Sequence, residues 1–232
     1  MAETEPGRVE LQVTGDDSHT LLSHRFGVTY HSRHGAIEEG RHVFIRAGVE
    51  AVIERPDRPA TIRVFEMGFG TGLNALLLRE YAARNPQLQF VYTGYEQFPV
   101  PPEVLAALNY PEQLGIERSR LEDLHQKDWG RALRLDPNYQ ITVYKDNFLA
   151  ADLSPLAATQ DVIFYDAFAP NNQPELWSTM ALERAFTLLR PAGVLVTYCA
   201  KGQFKRDLRS VGFAVEALPG PPGKREMTRA TR

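Results

Sequence analysis

The sequence holds one cysteine, Cys199, in 232 residues. A single thiol can form neither an internal disulfide nor a cysteine-based zinc site, and such sparing use predicts a cytoplasmic protein. No apolar run approaches the roughly 18–20 residues that a membrane span requires. The opening "MAETEPGRVELQ" lacks the positive-then-apolar order of a signal peptide. The six histidines (His19, His24, His31, His34, His42 and His125) are scattered, and the "HSRH" pair is too flexible to count as metal ligands. No metal site is predicted. Positive charge is also short: the net charge of −3 argues against a nucleic-acid binder that works by bulk electrostatics. The exception is the end of the chain. From Cys199 to Arg232, eight basic residues stand against three acids, and such a face could meet a phosphate backbone or simply water.

What is present suits one well-buried domain, with 43% hydrophobic residues. Residues 8–22 read as two short strands around "TGDDS". In "TYHSRHGAIEEGRHVFIRAG", Ile37, Arg41, Phe44 and Ile45 recur at helical spacing, with Gly48 placed to end the helix. His34, Arg41 and His42 of this element read as packing or capping residues. "ERPDRPA" links to the main body. From Thr61 strands alternate with helices: "TIRVFEM", "QFVYTGYE", "YQITVYK", "DVIFYDAF" and "VLVTYCA" are strand-like. The helices expected are "LNALLLREYAARN", an irregular stretch over 99–135, and "PELWSTMALERAFTLL" with Pro174 in its first turn. "FAVEALPGPPGKREMTRAT" closes as an antiparallel hairpin. The expectation is an α/β chain: a doubly wound, mostly parallel seven-stranded sheet of the class I methyltransferase type. Residues 1–58 form a hairpin-and-helix extension on a core of 59–232.

Ligands of open parallel sheets sit beyond the carboxyl ends of the strands, at the switch point. After the first core strand comes "EMGFGTGLN", where Gly68, Gly70 and Gly72 would let the backbone lie against a ligand. Its spacing departs from the dinucleotide fingerprint, and Glu66 beside it would repel phosphates. That carboxylate suits the cationic amino-acid end of S-adenosylmethionine. Glu96 follows the second strand and could accept hydrogen bonds from ribose hydroxyls. Asp146, after the third, could face an adenine amino group, and Asp166 follows the fourth. Four acids at four consecutive strand ends point to a nucleoside cofactor.

"EMGFGTGLNALLL", "YEQFP", "YDAFAPNNQPELW", "LVTYCAKGQFKRDLRSVGF" and "GKREM" resemble the methyltransferase domain of the bifunctional enzymes that make 5-methylaminomethyl-2-thiouridine in tRNA. The resemblance spans roughly residues 26 to 230. It implies N-methylation, by S-adenosyl-L-methionine, of an aminomethyl group on the wobble uridine of tRNA. In those enzymes a flavin-dependent oxidase domain makes the amine; a stand-alone form without that domain is expected here, so either another enzyme supplies the amine or the substrate differs. The cofactor contacts expected are Glu66, Gly68, Gly70, Thr71, Gly72, Asn74, Glu96, Asp146, Asn147 and Asp166.

Asp166 lies where the methyl group should point, and it is the catalytic candidate: a carboxylate that orients an amine and accepts its proton. Phe168, Tyr198, Lys201 and Arg225 are the candidate substrate contacts, by stacking or by phosphate binding. Trp177 reads as core. Two alternatives stay open: a methyltransferase of a small amine, and a non-catalytic cofactor-binding partner of tRNA-modifying enzymes. The carboxylate of Asp166 counts against the second.

Overall fold

The computed structural model describes residues 8–126 and 129–232. Parts of the expected 1–58 extension and of the 99–135 stretch, residues 1–7 and 127–128, lie outside the described residues. The chain opens with a small antiparallel sheet of β1 (Val9–Val13), β2 (His19–Ser23) and β3 (Val28–Thr29). A continuous helix, α1, follows in three segments: Ala36–Gly40, a π-helical Arg41–Glu50, and Ala51–Ile53. Gly48 therefore does not end this helix. It lies inside it because the helix presses on the sheet there, and a Cβ at Gly48 would stand 2.9 Å from Val196 Cγ2.

The main sheet has eight strands. A parallel core of β7 (Tyr139–Tyr144), β5 (Gln89–Tyr95), β4 (Thr61–Met67), β8 (Gln160–Tyr165) and β9 (Leu189–Thr197) lies side by side in that order. The closing hairpin, β10 (Ala214–Pro219) and β11 (Glu226–Thr231), adds antiparallel to β9. The doubly wound expectation holds, with one strand more than expected: β6 (Leu133–Asp136) pairs antiparallel with β7 at the far edge. The remainder of 99–126 forms short helices α3 (Pro102–Ala106), α4 (Tyr110–Leu114) and α5 (Ser119–Glu122).

Helix α2 (Leu73–Arg84) connects β4 to β5, and α6 (Thr179–Leu188) connects β8 to β9. The helix expected over 174–189 is shorter than its pattern. Pro174–Trp177 form a separate 3-10 turn, and the Ser178 hydroxyl caps α6 by accepting from the Ala181 N–H. Helix α7 (Gly202–Val211) precedes the hairpin. Val162, Ile163, Phe164 and Tyr165 of β8 are all fully buried, as a central parallel strand covered on both faces requires. Strand order reverses between β4 and β8, so the carboxyl ends of those two strands form the switch point. Among the described residues, no helix is long and apolar enough to cross a membrane.

Candidate active site

The turn after β4 is shaped by what its own protein walls demand. The N–H groups of Gly68 and Phe69 both donate to the Tyr95 carbonyl at the end of β5. Gly68 has φ +92°, and a Cβ there would stand 2.2 Å from the Asp166 carbonyl oxygen. At Gly70 a Cβ would meet the Tyr30 ring at 3.2 Å, and at Gly72 the His125 Nε2 at 2.8 Å. These glycines turn the backbone sharply, with φ of +92°, +52° and +75°, and their missing Cβ atoms face an adjacent strand end, the N-terminal extension and the α5 region. Gly68 and Gly70 still line the cavity. Thr71 and Gly72 do not; Thr71 is buried, with its carbonyl 2.9 Å from His125 Nε2.

Asn74, in the first turn of α2, joins two of the four acids. Its Nδ2 donates to Glu66 Oε1 at 2.7 Å and to Asp166 Oδ2 at 2.8 Å. Glu66 is fully buried, and burial, followed by the charge of Asp166, pushes its carboxyl well above the usual range. Burial and then the nearby Glu39 push Asp166 up to about 7, against the Asn74 hydrogen bond and the Lys224 cation. Two acceptors at this bridge, Glu66 Oε2 and Asn74 Oδ1, are buried without a partner. Glu96 is half-buried and anchored, accepting from the Gly70 N–H at 2.9 Å and the Phe98 N–H at 2.7 Å. Burial raises its pKa against these bonds. Asp146 is exposed at the rim and accepts from the Asn147 N–H at 2.7 Å. Asn147 Oδ1 in turn accepts from the Leu149 N–H.

These strand ends line a pocket covered from the N-terminal side by Phe26, Tyr30 and His31. Its apolar and aromatic walls with a few convergent polar groups suit a small ligand or cofactor. The polar groups fit S-adenosyl-L-methionine: orphaned acceptors beside Asn74 for its ammonium end, and Glu96 for hydroxyls. Asp146 and Asn147 lie at the outer rim for the base. His31 was read only as part of a packing segment. Its ring Nδ1 is buried without a partner, and burial holds the imidazole neutral, with its pKa lowered to about 4.

A second, more open groove of about 1010 Å³ lies between the 169–170 loop and the β11 end of the hairpin. It brings together three of the residues expected to touch substrate: Tyr198, Lys201 and Arg225. Phe168 is elsewhere. It lines the first cavity, stacked on Phe26 with centroids 4.4 Å apart, and its carbonyl accepts from Trp177 Nε1 at 2.7 Å. Trp177 is core, as read. The Tyr198 hydroxyl donates to the Ala167 carbonyl at 2.8 Å and so forms the partition beside Asp166. Above it Lys224 Nζ sits 4.0 Å from the Tyr198 ring centroid and pairs with buried Glu39 at 2.5 Å. No local pattern signals this pair, because its partners are 185 positions apart and neither follows a core strand.

Residues 124–232 match the profile of a family described as S-adenosyl-L-methionine-dependent methyltransferase. The "tRNA 5-methylaminomethyl-2-thiouridine biosynthesis bifunctional protein MnmC" of Pseudomonas paraeruginosa is 32% identical over 95% of this chain and 35% of that protein. Its namesake in Chromobacterium violaceum is 32% identical over 89% of this chain and 32% of that protein. The chain thus spans about a third of the length of these curated relatives. Among solved structures, MNMC2 from Aquifex aeolicus superposes with TM-score 0.75 at 26% identity, covering 97% of this chain and 71% of that one. A spermidine synthase in complex with the transition-state analogue AdoDATO superposes with TM-score 0.59 at 18% identity, over 99% of this chain and 72% of that one, which is likeness of fold alone.

Proposed function

We propose that this chain, a relative of the S-adenosyl-L-methionine-dependent methyltransferases, N-methylates the aminomethyl group of 5-aminomethyl-2-thiouridine at the wobble position of tRNA. The curated relatives are named for biosynthesis of 5-methylaminomethyl-2-thiouridine, the product that such a transfer gives. A cytoplasmic setting and a separate enzyme supplying the amine belong to the same reading. So does the division into an extension up to residue 58 and a methyltransferase domain from residue 59.

One observation carries the reading. Asp166 stands at the cavity wall, next to the partition shared with a cation-lined groove, and its pKa is pushed up to about 7. When bound, the cofactor supplies an electrophilic methyl group on a sulfonium. An amine attacks only through its lone pair, so the ammonium form is inert until a proton leaves. A carboxylate poised near 7 is matched to that task at neutral pH. Asp166 accepts the amine proton and so frees the lone pair for an in-line displacement, in which the N–C bond gained would replace the C–S bond of the sulfonium. Asn74 fixes the Asp166 carboxylate so that its free oxygen can face the amine. Tyr198, through the Ala167 carbonyl, holds the loop that separates the two cavities.

The test is labelled cofactor with purified protein and bulk tRNA from a strain lacking this gene. Labelled 5-methylaminomethyl-2-thiouridine in digested tRNA is the expected result. Label appearing only in small amines removes tRNA from the reading and leaves the methyltransferase.

A further inference from the structure

Arg41 and Arg46 on α1 and Arg84 at the end of α2 line a third depression, about 560 Å³, on the flank where the two helices pack. Its remaining lining is Ile45, Leu77, Tyr81 and a single acid, Glu50. Among the described residues, Arg79, Arg120 and Arg190 are each met by a carboxylate, whereas none of these three is. Three cations against the one lining acid, Glu50, leave the depression with an excess of positive charge, and an incoming polyanion is drawn to it.

The groove beside Tyr198 holds less unpaired positive charge than its lining suggests: Lys224 pairs with Glu39, Arg225 lies 3.6 Å from a Glu226 that also pairs with Lys205, and Lys201 is hydrogen-bonded to the neutral Asn171. With a net charge of −3, the chain has no long-range pull on RNA, so binding has to come from local clusters. The flank also begins beside the active site. A Cβ at Gly40, next to Arg41, would stand 3.0 Å from Asn74 Oδ1. From Asn74 to Arg84 the helix climbs about 15 Å at 1.5 Å per residue. That length spans several successive phosphates of one RNA strand.

We infer that Arg41, Arg46 and Arg84 form a docking surface for the sugar–phosphate backbone of the RNA whose base enters the acceptor groove. The inference rests on the RNA reading of the proposed function. Arginine is the suitable residue, since its planar fork grips phosphate in two places, and the apolar floor carries the guanidinium stems.

The experiment measures binding of tRNA against salt concentration for the wild type and for R41Q/R46Q/R84Q. Each lost phosphate contact flattens the slope of log K against log salt by about 0.7–0.9, so the triple variant is expected to flatten it by about 2–3. R41K/R46K/R84K should keep most of the slope. A five-nucleotide fragment carrying the acceptor uridine should be methylated equally by all three proteins. If the triple variant proves poorly folded, R46Q/R84Q, both at exposed positions, should lose about two thirds of the effect. Wild-type slope in the charge-deleted variants, with tRNA still bound and methylated, overturns the docking surface alone. A wild-type protein that neither binds nor methylates tRNA overturns the proposed function, and the docking surface with it.

Discussion

Gly68 and Asp166 touch through their backbones, so closely that a Cβ on the first would stand 2.2 Å from the carbonyl oxygen of the second. The contact fixes the tip of β4 to the tip of β8 at the point where strand order reverses. Alanine at 68 would have both to adopt φ +92° and to displace the loop bearing the catalytic candidate. Overpacking of this kind costs about 1–3 kcal/mol, or about 2–4 °C in melting temperature per kcal/mol at this chain length. Gly68→Ala is therefore expected to melt lower and to bind S-adenosyl-L-methionine more weakly. Calorimetry that finds both unchanged would refute this account of the turn.

Asp166 should cost the protein stability where it serves chemistry. Its folded pKa, about 7, lies above the ordinary 3.8. The protonated form is thus favoured by folding, and that contribution is complete below pH 3.8 and lost as pH rises through 7. Asp166→Asn removes the ionisable group. The variant should melt higher than wild type at pH 8, with the difference vanishing near pH 4. Its turnover should fall by about 10²–10⁴, the usual contribution of a general base, while cofactor binding persists. Melting curves at the two pH values and a single-turnover assay separate these effects. A variant with near-normal turnover takes Asp166 out of the mechanism.

Asn74 should set the acid limb of the reaction. Its amide favours ionised Asp166, the opposite of what burial does. Without that bond the Asp166 pKa rises further, and the base form is populated only at higher pH. Asn74→Ala is expected to move the acid limb of kcat/KM alkaline, so that much of the lost rate returns at high pH. A uniform loss across pH would instead mean that Asn74 acts only in binding.

Much of this arrangement can be read from sequence because it is local. A strand ending in a glycine turn or on an acid is a run of adjacent residues, so Glu66, Gly68, Glu96 and Asp166 stand out at their strand ends. The four-residue β6, "LRLD", carries too little alternation to announce itself and exists by pairing with β7. Gly48 looks like a helix end, but contact with Val196 makes glycine necessary inside the helix. Asp146, also at its strand end, stands at the outer rim of the same cavity with an exposed side chain bonded to its own loop. The Glu39–Lys224 pair depends on two distant segments folding onto the same partition, and no local pattern encodes that.

That pair gives the most discriminating prediction. Glu39 is 7% exposed and Lys224 30%, so removing the lysine leaves a carboxylate buried without its cation. Breaking a fully buried pair from one side costs about 3–5 kcal/mol, and this partly exposed one less, since Glu39 also accepts from the Ser32 N–H. Lys224→Met should therefore lower the melting temperature markedly, and adding Glu39→Gln should restore most of it, because the amide needs no counter-charge. The same variants act on Asp166 in opposite senses. Loss of the Lys224 cation raises its proton affinity and moves the acid limb of kcat/KM alkaline, whereas Glu39→Gln lowers it and moves the limb acid. A double-mutant cycle read by melting and by pH profile measures both effects together. If the two single variants shift the profile in the same direction, the pair acts by holding the partition in place, and its charge does not govern the proton on Asp166.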